Sequence, residues 1–494
     1  MGRNQFRVIA VAASRAPRFA AVAAAIGIAA WSAPSAFAAH TAELSMMDDQ
    51  ALLGASQSQV DSTLARMKAL GADRLRVSAF WSDIAPAPHS TKEPARFDPS
   101  YPFAPEYRFA ALDRVVGSAA AHGLKVMISL STPIPYWASR APSRKNNVWE
   151  PDPKQFAAFA YAVTARYGSI ADQFAILNEP NQGAWLQPQS LGGKHVSPHV
   201  YAALVRAGYP AIKQAAPKAT VLVGELASSG RDDPGITRPI RPLRFLRDMS
   251  CRDSRFRAVR KGACKGFKPL QLDALGHHPY ALFQSPFRTS INRDDAAMGD
   301  WRALERTLDR LVAARALRPS RGKRFPIYYT EFGYQTDPPD PFAGIPLTRQ
   351  SRWLQDAAYA AWRTPRVLGL NQFRVSDGRI RGAGPLAFRE FQSGLFFANG
   401  KAKPSAATFP NPIEVRSSGR THLLVWGQVR PGGTPTVILE RRARRSKAFA
   451  KLATVRASRR GYFQVRVARR AGAYRFRWAD AAGSGRSESV SVAR

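Results

Sequence analysis

The sequence predicts an α/β domain of eight strand–helix units, followed by a small all-β domain. Three observations support this prediction. Apolar, strand-like runs alternate with amphipathic helical stretches over about 370 residues, two of those runs end in a glutamate, and helical periodicity disappears after residue 410. Alternation of this kind produces βαβ units with a parallel sheet. Eight such units favour a closed (β/α)8 TIM barrel over an open sheet.

The amino-acid composition and net charge limit the kinds of molecule that this protein is expected to bind. The chain has 494 residues, which is too long for one ordinary core, and its hydrophobic content of 45% is typical of a globular protein. The formal net charge of +38 fits either an anionic partner or arginines spread over solvated surfaces. No nucleic-acid-binding motif accompanies the arginines, and no G-x-G-x-x-G or P-loop follows a predicted strand. No nucleic-acid partner is therefore expected.

The first 38 residues have the features of an export signal. Four arginines precede an uncharged, alanine-rich stretch at 19–31, and Ser35-Ala36-Phe37-Ala38 provides an A-x-A cleavage site. The apolar stretch is shorter than the ~20 residues that span a bilayer, which argues against an uncleaved anchor. We therefore predict a signal peptide at 1–38 and a secreted protein that keeps no membrane span after cleavage.

The strand–helix units fall between residues 41 and 410. Gly71 and Gly123 end two of the helical stretches, and Asp152-Pro153 opens a third. The predicted strands are 44–47, 74–81, 124–130, 174–177, 220–225, 272–280, 326–330 and 367–373. The predicted helices are 58–70, 109–123, 152–167, 198–215, 242–248, 301–315 and 349–362.

Residues 411–494 have a different texture. Five short strand-like runs alternate apolar and polar residues between turns rich in Gly, Pro and Ser, which predicts a small β-sandwich of the immunoglobulin or fibronectin kind. This segment holds 19 Lys and Arg against 4 Asp and Glu. We expect a basic accessory domain that either binds an anionic cell-wall polymer or serves only as a spacer.

The chain has two cysteines, Cys251 and Cys264. In an exported protein, a lone pair close in sequence is expected to form a disulfide that closes a loop. No further Cys or His stands at ligand spacing beside the pair, so the two thiols cannot complete a zinc site by themselves. We predict a structural disulfide and no metal site.

Two of the predicted strands end in a glutamate. The run 174–177 leads into Asn178-Glu179-Pro180, and the run 326–330 leads into Glu331-Phe332-Gly333. The carboxyl ends of barrel strands form one mouth, so both glutamates are expected at the same face. Glycoside hydrolysis needs such a pair, because one carboxyl protonates the leaving oxygen while the other attacks the sugar or activates water. This chemistry requires no cofactor.

These motifs resemble those of clan A of the glycoside hydrolases, the retaining (β/α)8 enzymes, and most closely family 5 (the cellulase family) or family 39. Asn178-Glu179-Pro180 is similar to the clan's strand-4 motif, and Glu331-Phe332-Gly333 is similar to its strand-7 motif. His278-Pro279-Tyr280 and Arg76 match the strand-6 and strand-2 positions. The resemblance implies that Glu179 is the acid/base and Glu331 the nucleophile.

The resemblance also implies supporting roles in substrate binding for Asn178, Arg76, His278 and Tyr280. Two family 5 features are missing: no histidine ends strand 3, and strand 8 ends in Phe373 instead of a tryptophan. Trp137, Trp185 and Phe373 are the predicted platforms for sugar rings.

The sequence therefore predicts a secreted glycoside hydrolase that acts on a poly- or oligosaccharide with retention of configuration. A non-catalytic protein that binds carbohydrate or cell wall at the barrel mouth stays open as the alternative. Neither reading requires a cofactor.

Overall fold

The computed structural model describes residues 42–430, 432–481 and 483–493. The predicted signal peptide at 1–38 lies outside these ranges, so its export function remains a prediction. Among the described residues, no helix combines the length and the apolar character needed to traverse a bilayer.

Eight parallel strands close into a barrel, which confirms the predicted fold of the first domain. In chain order they are Glu43–Met47 (β1), Arg74–Phe80 (β2), Lys125–Ser131 (β3), Ala171–Ile176 (β4), Thr220–Ala227 (β5), Ala274–His278 (β6), Ile327–Tyr329 (β7) and Val367–Phe373 (β8). Each strand pairs with its sequence neighbours, and β1 pairs with β8 to close the ring. Five consecutive residue pairs, from Glu43–Gly369 to Met47–Phe373, make this last junction.

Helices connect successive strands on the outside of the barrel. They are Gln57–Ala69, Ala110–Ala121, Pro153–Tyr167, Ser197–Ala215, Pro242–Met249, Trp301–Ala313 and Leu347–Trp362, with shorter helices at Asp49–Leu52, Trp81–Ile84 and Pro404–Thr408. Short 3-10 turns occur at Tyr136–Ala138, Pro142–Arg144, Gly262–Cys264, Met298–Asp300 and Pro385–Phe388. Three two-stranded pairs lie in the loops: Ser190–Leu191 with Lys194–His195, Leu270–Leu272 with Leu317–Pro319, and Thr336–Asp337 with Ile345–Pro346.

The first helix shows how local sequence sets an element. Ser56 caps Gln57–Ala69 and forms a capping box with Gln59, which satisfies two backbone N–H groups that have no partner within the helix. Val60, Leu64 and Met67 recur at helical spacing and are fully buried against the barrel. The helix therefore begins at its cap and is held by one apolar face.

The C-terminal segment is all-β, as predicted. Ile413–Ser417 (β9), His422–Gln428 (β10) and Tyr462–Ala468 (β13) form one antiparallel sheet. Thr436–Arg442 (β11), Ala450–Arg456 (β12), Gly472–Asp480 (β14), Gly483–Arg486 (β15) and Val490–Val492 (β16) form the other. Buried residues of both sheets, among them Val425, Leu439 and Phe476, share one apolar core. The two sheets therefore face each other as a sandwich.

This sandwich packs directly on the barrel. Trp426 of β10 and Tyr462 of β13 form one buried cluster with Tyr359 and Trp362 of the helix Leu347–Trp362. At the edge of this cluster, Arg460 pairs with Glu43 of β1 at 3.2 Å. The contact is apolar at its centre and charged at its edge, so the basic domain is anchored to the barrel instead of hanging on a free linker.

Cys251 and Cys264 form a disulfide. The bond closes the loop that follows the helix Pro242–Met249, and both cysteines are buried. In the chain, this loop connects the helix after β5 to the segment that leads into β6.

Candidate active site

A cleft with a cavity volume of about 420 Å³ opens at the carboxyl ends of the barrel strands. Its walls come from the ends of β1, β2, β4, β6, β7 and β8 and from the loop that follows β8. The lining side chains are Met47, Asp48, Asp49, Gln50, Ser78, Phe80, Asn178, Glu179, Trp185, Tyr280, Glu331, Phe373, Arg374, Arg389, Glu390 and Phe391. The cleft therefore occupies the place where (β/α)8 barrels carry their chemistry.

The turn after β4 presents Asn178 and Glu179 to this cleft. Glu179 has a left-handed backbone conformation, with φ of 39°, and its N–H donates to the Glu225 carbonyl at 3.1 Å. The buried Asn181 side chain fastens the turn to β5: its amide oxygen accepts from the Ala227 N–H and its amide nitrogen donates to the Ala227 carbonyl. A strained backbone at a non-glycine residue persists only where surrounding contacts enforce it. The hydrogen bonds of Glu179 N–H and of the Asn181 side chain are such contacts.

Glu331, just after β7, is 7% exposed and bound on both of its oxygens. Arg76 Nη1 donates to Oε1 at 2.9 Å, and the Tyr280 hydroxyl donates to Oε2 at 3.0 Å. Oxygen atoms of Glu179 and Glu331 and a ring nitrogen of His278 all lie within 4.8 Å of one another. The structure thus brings the two glutamates predicted from the sequence into one cluster.

Arg76 of β2 is the cation at the centre of this cluster and is completely buried. Its guanidinium donates to both oxygens of Glu225 at 3.0 Å, to Glu331, and to Asn178 Oδ1 at 2.8 Å. Because Asn178 Oδ1 accepts from Arg76, the amide nitrogen of Asn178 is left as a donor beside the cleft. The arginine therefore orients the nucleophile candidate and the amide together.

Glu225 of β5 is a third carboxylate, and it is fully buried. The pairing of β5 with β6 shifts register between Gly224 and Leu226, and Glu225 has φ of 45°, so it occupies a bulge that turns its side chain inward. Ser129 Oγ donates to Glu225 Oε2 at 2.5 Å. Burial raises the pKa of Glu225, but the charge and hydrogen bonds of Arg76, with the nearby positive charge of His278, outweigh burial and hold this pKa well below its ordinary value.

His278, the last residue of β6, is also fully buried. Its Nδ1 lies 2.9 Å from Glu179 Oε1 and 3.6 Å from Glu331 Oε2, and its Nε2 lies 3.8 Å from Glu225 Oε1. Burial lowers the pKa of this imidazole, but the three surrounding carboxylates more than offset burial and raise the pKa to about 9. His278 is therefore an imidazolium at neutral pH and donates to Glu179.

The charges of the cluster can be counted. Arg76 and His278 are positive, and Glu225 is negative. Burial raises the pKa of Glu331, while His278 and Arg76 act in the opposite direction. A negative charge on Glu331 brings the sum of these four charges to zero, which is the least costly charge state for a buried cluster. The burial of Tyr280 raises its pKa well above its ordinary value, so it remains a neutral donor.

Aromatic rings form the walls of the cleft. Trp185 stacks in parallel on Phe80, with ring centroids 6.5 Å apart and planes at 9°, and both line the cleft. Phe373 is half-buried at the end of β8 and meets Tyr280 and Phe391 edge to face, at 6.3 Å and 5.5 Å. Two of the three predicted sugar platforms therefore face the cleft.

The prediction for Trp137 is wrong. Its indole is 6% exposed, packs edge to face against Trp81 and Phe97, and donates Nε1–H to the Pro86 carbonyl at 3.0 Å. Trp137 does not line the cleft. The loop after β3 folds back into the outer core of the barrel and buries the ring, because a large aromatic side chain with a satisfied N–H packs well there.

Sequence reasoning missed part of the site. It gave no role to Ser129 and placed Glu225 only at the end of the predicted strand 220–225. Asp49, which lines the cleft after β1, accepts from the Ser78 N–H at 3.2 Å, and burial raises its pKa. Their positions in the sequence could have indicated these residues, because Ser129, Glu225 and Asp49 each lie at or near the carboxyl end of a barrel strand.

Two groups of potential metal ligands occur among the described residues. In one, formed with His199, both cysteines are engaged in the disulfide. The other is Glu179, His278 and Glu331. The positive charges of Arg76 and His278 already balance its neighbouring carboxylates, which makes that group a poor host for an added cation.

A carboxyl pair at the mouth of a (β/α)8 barrel, in a cleft walled by aromatic rings, is an arrangement that suits glycoside hydrolysis. Residues 37–244 match the family model described as cellulase (glycosyl hydrolase family 5). The matched part carries Arg76, Asn178, Glu179 and Glu225. The predicted resemblance to clan A is thereby confirmed: residues 37–244 are similar to glycosyl hydrolase family 5, and a glycosidase activity is supported.

Several solved structures are similar to this chain. A family 39 glycoside hydrolase from Bacteroides cellulosilyticus WH2 is 15% identical, over 87% of this chain and 79% of that chain, with a TM-score of 0.47. GH5_18 from Streptomyces cattleya is 16% identical, over 74% and 78%, with a TM-score of 0.49. A glucosidase from Croceicoccus marinus is 13% identical, over 82% and 89%, with a TM-score of 0.47. A search of curated proteins gave no match. Likenesses at this distance leave the substrate and linkage open.

Proposed function

We propose that this protein is an exported retaining glycoside hydrolase that cleaves O-glycosidic bonds of a poly- or oligosaccharide. The observation that carries the proposal is the short gap between the two glutamates, whose oxygen atoms approach within 4.8 Å. Retaining enzymes hold their carboxyl groups ~5–5.5 Å apart, whereas inverting enzymes leave ~6.5–9.5 Å for a water molecule. Oxygen atoms no more than 4.8 Å apart fit the shorter, retaining arrangement, in which one carboxylate attacks directly.

In the proposed first step, Glu331 attacks the anomeric carbon. Glu179 gives its proton to the glycosidic oxygen, the bond from that oxygen to the anomeric carbon breaks, and a glycosyl ester forms on Glu331. In the second step, Glu179 takes a proton from water as the water oxygen attacks the same carbon. The ester bond then breaks, which returns Glu331 as a carboxylate and Glu179 as an acid.

The surroundings of the two glutamates support these different roles. Glu331 accepts from Arg76 and Tyr280, both of which stabilise its charged form and hold the attacking oxygen in place. Glu179 faces His278, which stabilises the carboxylate that forms once the proton has left. The free amide N–H of Asn178 can donate to the sugar 2-hydroxyl, a bond that strengthens in the transition state.

The proposal is tested by a screen of aryl β-glycosides and polysaccharides with the wild-type protein and Glu331→Ala. We expect wild-type turnover and its loss by several orders of magnitude in the variant. Added azide should restore turnover in Glu179→Ala on substrates with activated leaving groups, because the anion replaces the base-assisted water. Turnover that survives Glu331→Ala would contradict the assignment of Glu331 as the nucleophile. Saturable binding of a polysaccharide without any turnover would favour the non-catalytic alternative.

Export is part of the proposal and rests on the sequence of residues 1–38. N-terminal sequencing of protein recovered from the culture medium tests it. We expect the mature chain to begin at Ala39, after the predicted A-x-A site. An N-terminus that begins at Met1 would contradict cleavage.

We also propose that the basic domain binds an anionic cell-wall polymer. The outer face of its larger sheet carries six cations, and Glu440 is the carboxylate that pairs with two of them, Arg475 at 2.7 Å and Arg477 at 2.8 Å. Arg477 lies directly opposite Arg486 across the strands, a like-charge pair that costs stability unless an anion screens it. The six cations are Arg442, Lys451, Arg456, Arg475, Arg477 and Arg486.

Co-sedimentation of the full chain with isolated cell walls tests this second proposal. Replacing Arg442, Arg456 and Arg486 with Gln should weaken binding and reduce its salt dependence. The matched control replaces three exposed arginines of the barrel, Arg255, Arg318 and Arg321, with Gln. Equal losses in both triple variants would indicate a general charge effect and contradict a dedicated face.

A further inference from the structure

A second cavity, with a volume of about 300 Å³, adjoins the catalytic cleft. Glu179, Tyr280 and Phe391 line both spaces, whereas Glu331 lines only the cleft. In the proposed reaction the acid/base touches the leaving-group oxygen, and the nucleophile bonds to the sugar on the other side of the scissile bond. A cavity that meets Glu179 but not Glu331 therefore lies on the leaving-group side.

The lining of the second cavity selects for an uncharged ligand. Among the described residues that line it, Glu179 is the one carboxylic acid, and none is Lys, Arg or His. The cavity wall combines Gln, Ser and Tyr side chains, which can form hydrogen bonds with hydroxyl groups, with apolar side chains. The lining side chains besides those shared with the cleft are Gln182, Ala227, Ser228, Ser229, Leu282, Phe283, Gly333, Tyr334, Gln335, Ala343 and Ser393. Neutral hydrogen-bonding groups beside apolar walls match the surface of a neutral sugar ring.

Leu282 and Phe283 form an apolar ridge at the lip of this cavity. They are 58% and 56% exposed, and adjacent exposed apolar side chains are typical of binding grooves. Leu282 has φ of 50°, a left-handed conformation that non-glycine residues rarely adopt. Both residues also line a third cavity of about 440 Å³ farther from the glutamates. The ridge is therefore the shared wall between two spaces on the leaving-group side.

We propose that the second cavity is the leaving-group site and that the Leu282–Phe283 ridge is a platform for the apolar face of a neutral saccharide. A saccharide of two rings would place its first ring next to Glu179 and its second across the ridge. This inference rests on the proposed retaining mechanism. It adds that the sugar ring bound next to Glu179 on this side is neutral and not charged.

The two steps of the proposed reaction use the leaving-group site differently. The leaving-group site takes part in formation of the glycosyl enzyme and in transfer of the sugar to an acceptor, but not in hydrolysis of the glycosyl enzyme. For a dinitrophenyl β-glycoside that the wild type turns over, the leaving group departs readily, so kcat reports hydrolysis of the glycosyl enzyme. Transfer from that donor to an added disaccharide reports the leaving-group site.

We therefore compare wild type and Phe283→Ala, with cellobiose, mannobiose and xylobiose as neutral acceptors. We expect kcat for the dinitrophenyl glycoside to stay within twofold, while transfer to the best neutral acceptor falls about tenfold, the loss expected for one ring-stacking contact of about 1.4 kcal/mol. Cellobiuronic acid, the charged counterpart of cellobiose, should be a poor acceptor for the wild type.

Phe342→Ala is the matched control, because Phe342 is 54% exposed and lines none of the three cavities. Its transfer ratio should equal that of the wild type. An unchanged transfer ratio in Phe283→Ala, or no wild-type transfer to any of the three neutral acceptors, would overturn the inference while leaving the glycosidase proposal intact. A wild type that turns over no glycoside would instead overturn the proposed function on which the inference rests.

Discussion

Arg76 and Glu225 form a bidentate ion pair, with both donor–acceptor distances at 3.0 Å and both side chains fully buried. The pair joins β2 to β5 across the barrel interior and lies directly beneath Glu331 and Asn178. Removing both charges from water is costly, and the cost is offset only because Ser129, Asn178 and Glu331 complete the network. We infer that this ion pair sets the position of the guanidinium that orients Glu331 and Asn178.

Glu225→Gln tests the contribution of the pair. The amide keeps the shape but removes the charge, which leaves Arg76 with Glu331 as its remaining anionic partner. We expect the free energy of unfolding to fall by about 3–5 kcal/mol, as when one partner of a buried pair is removed, and kcat/KM to fall on the order of 100-fold. Urea unfolding and steady-state kinetics measure the two effects.

The control for this variant is Glu106→Gln, since Glu106 is exposed at the surface. It should leave both quantities unchanged. A Glu225→Gln protein with wild-type stability and wild-type kcat/KM would show that the ion pair has no role in either.

Gly276→Ala should disturb the same network from β6. A Cβ at this position would lie 2.8 Å from Glu225 Cγ and 3.2 Å from Glu225 N, so the bulge would have to move. We expect a loss of about 1–3 kcal/mol in unfolding free energy from overpacking, together with a loss of kcat/KM. Gly117→Ala is the control, because its Cβ would meet nothing within 4 Å in the helix Ala110–Ala121. That change should stabilise by about 0.5–1 kcal/mol and leave activity unaltered.

His278 should make stability depend on pH. Its folded-state pKa of about 9 lies above the ordinary value of 6.5, so protonated His278 stabilises the fold fully below pH 6.5. That contribution, about 3 kcal/mol for the full shift, is lost as pH rises to 9. The stability gap between wild type and His278→Asn should therefore shrink between pH 6 and pH 9.5, as followed by urea unfolding.

His89→Asn serves as the comparison for this series, because His89 is exposed. The difference in unfolding free energy between wild type and His89→Asn should be small. A His278→Asn gap that widens toward pH 9.5 would contradict the assignment of a stabilising imidazolium.

Trp185 and Trp137 should respond oppositely to truncation. Trp185→Ala removes a half-buried cleft wall, so we expect KM for an oligosaccharide to rise about threefold to tenfold with little change in stability. Trp137→Ala empties a core position and should lower the unfolding free energy by about 3–5 kcal/mol. Kinetics and unfolding of both variants separate the roles, and a Trp137 variant that is stable but weak in substrate binding would restore the original prediction for that residue.

Much of the fold could be predicted because its signals are local. The helix at Gln57–Ala69 and the strand Val367–Phe373 were predicted from apolar spacing to within one residue at each end. The placement of Glu179 and Glu331 needed one further rule, that parallel barrel strands share a carboxyl-end face. Closure by the β1–β8 pairing then followed from the number of strands.

The rest of the site could not be predicted, because it depends on contacts between residues far apart in the chain. Arg76 and Glu225 are separated by 149 positions, and a register shift in β5 turns Glu225 inward. No periodicity in the sequence shows a bulge of this kind. Trp137 had the same sequence context as a platform residue, and only the folded loop shows that its ring points into the core.

The stereochemical outcome of the reaction tests the central claim most directly. A proton NMR time course with the best substrate from the glycoside screen records the anomeric configuration of the first-formed product, before mutarotation mixes the two forms. With Glu331 as nucleophile and Glu179 as acid/base, a β-glycoside should release the β-anomer first. Release of the α-anomer first would mean single displacement by water and would contradict the account.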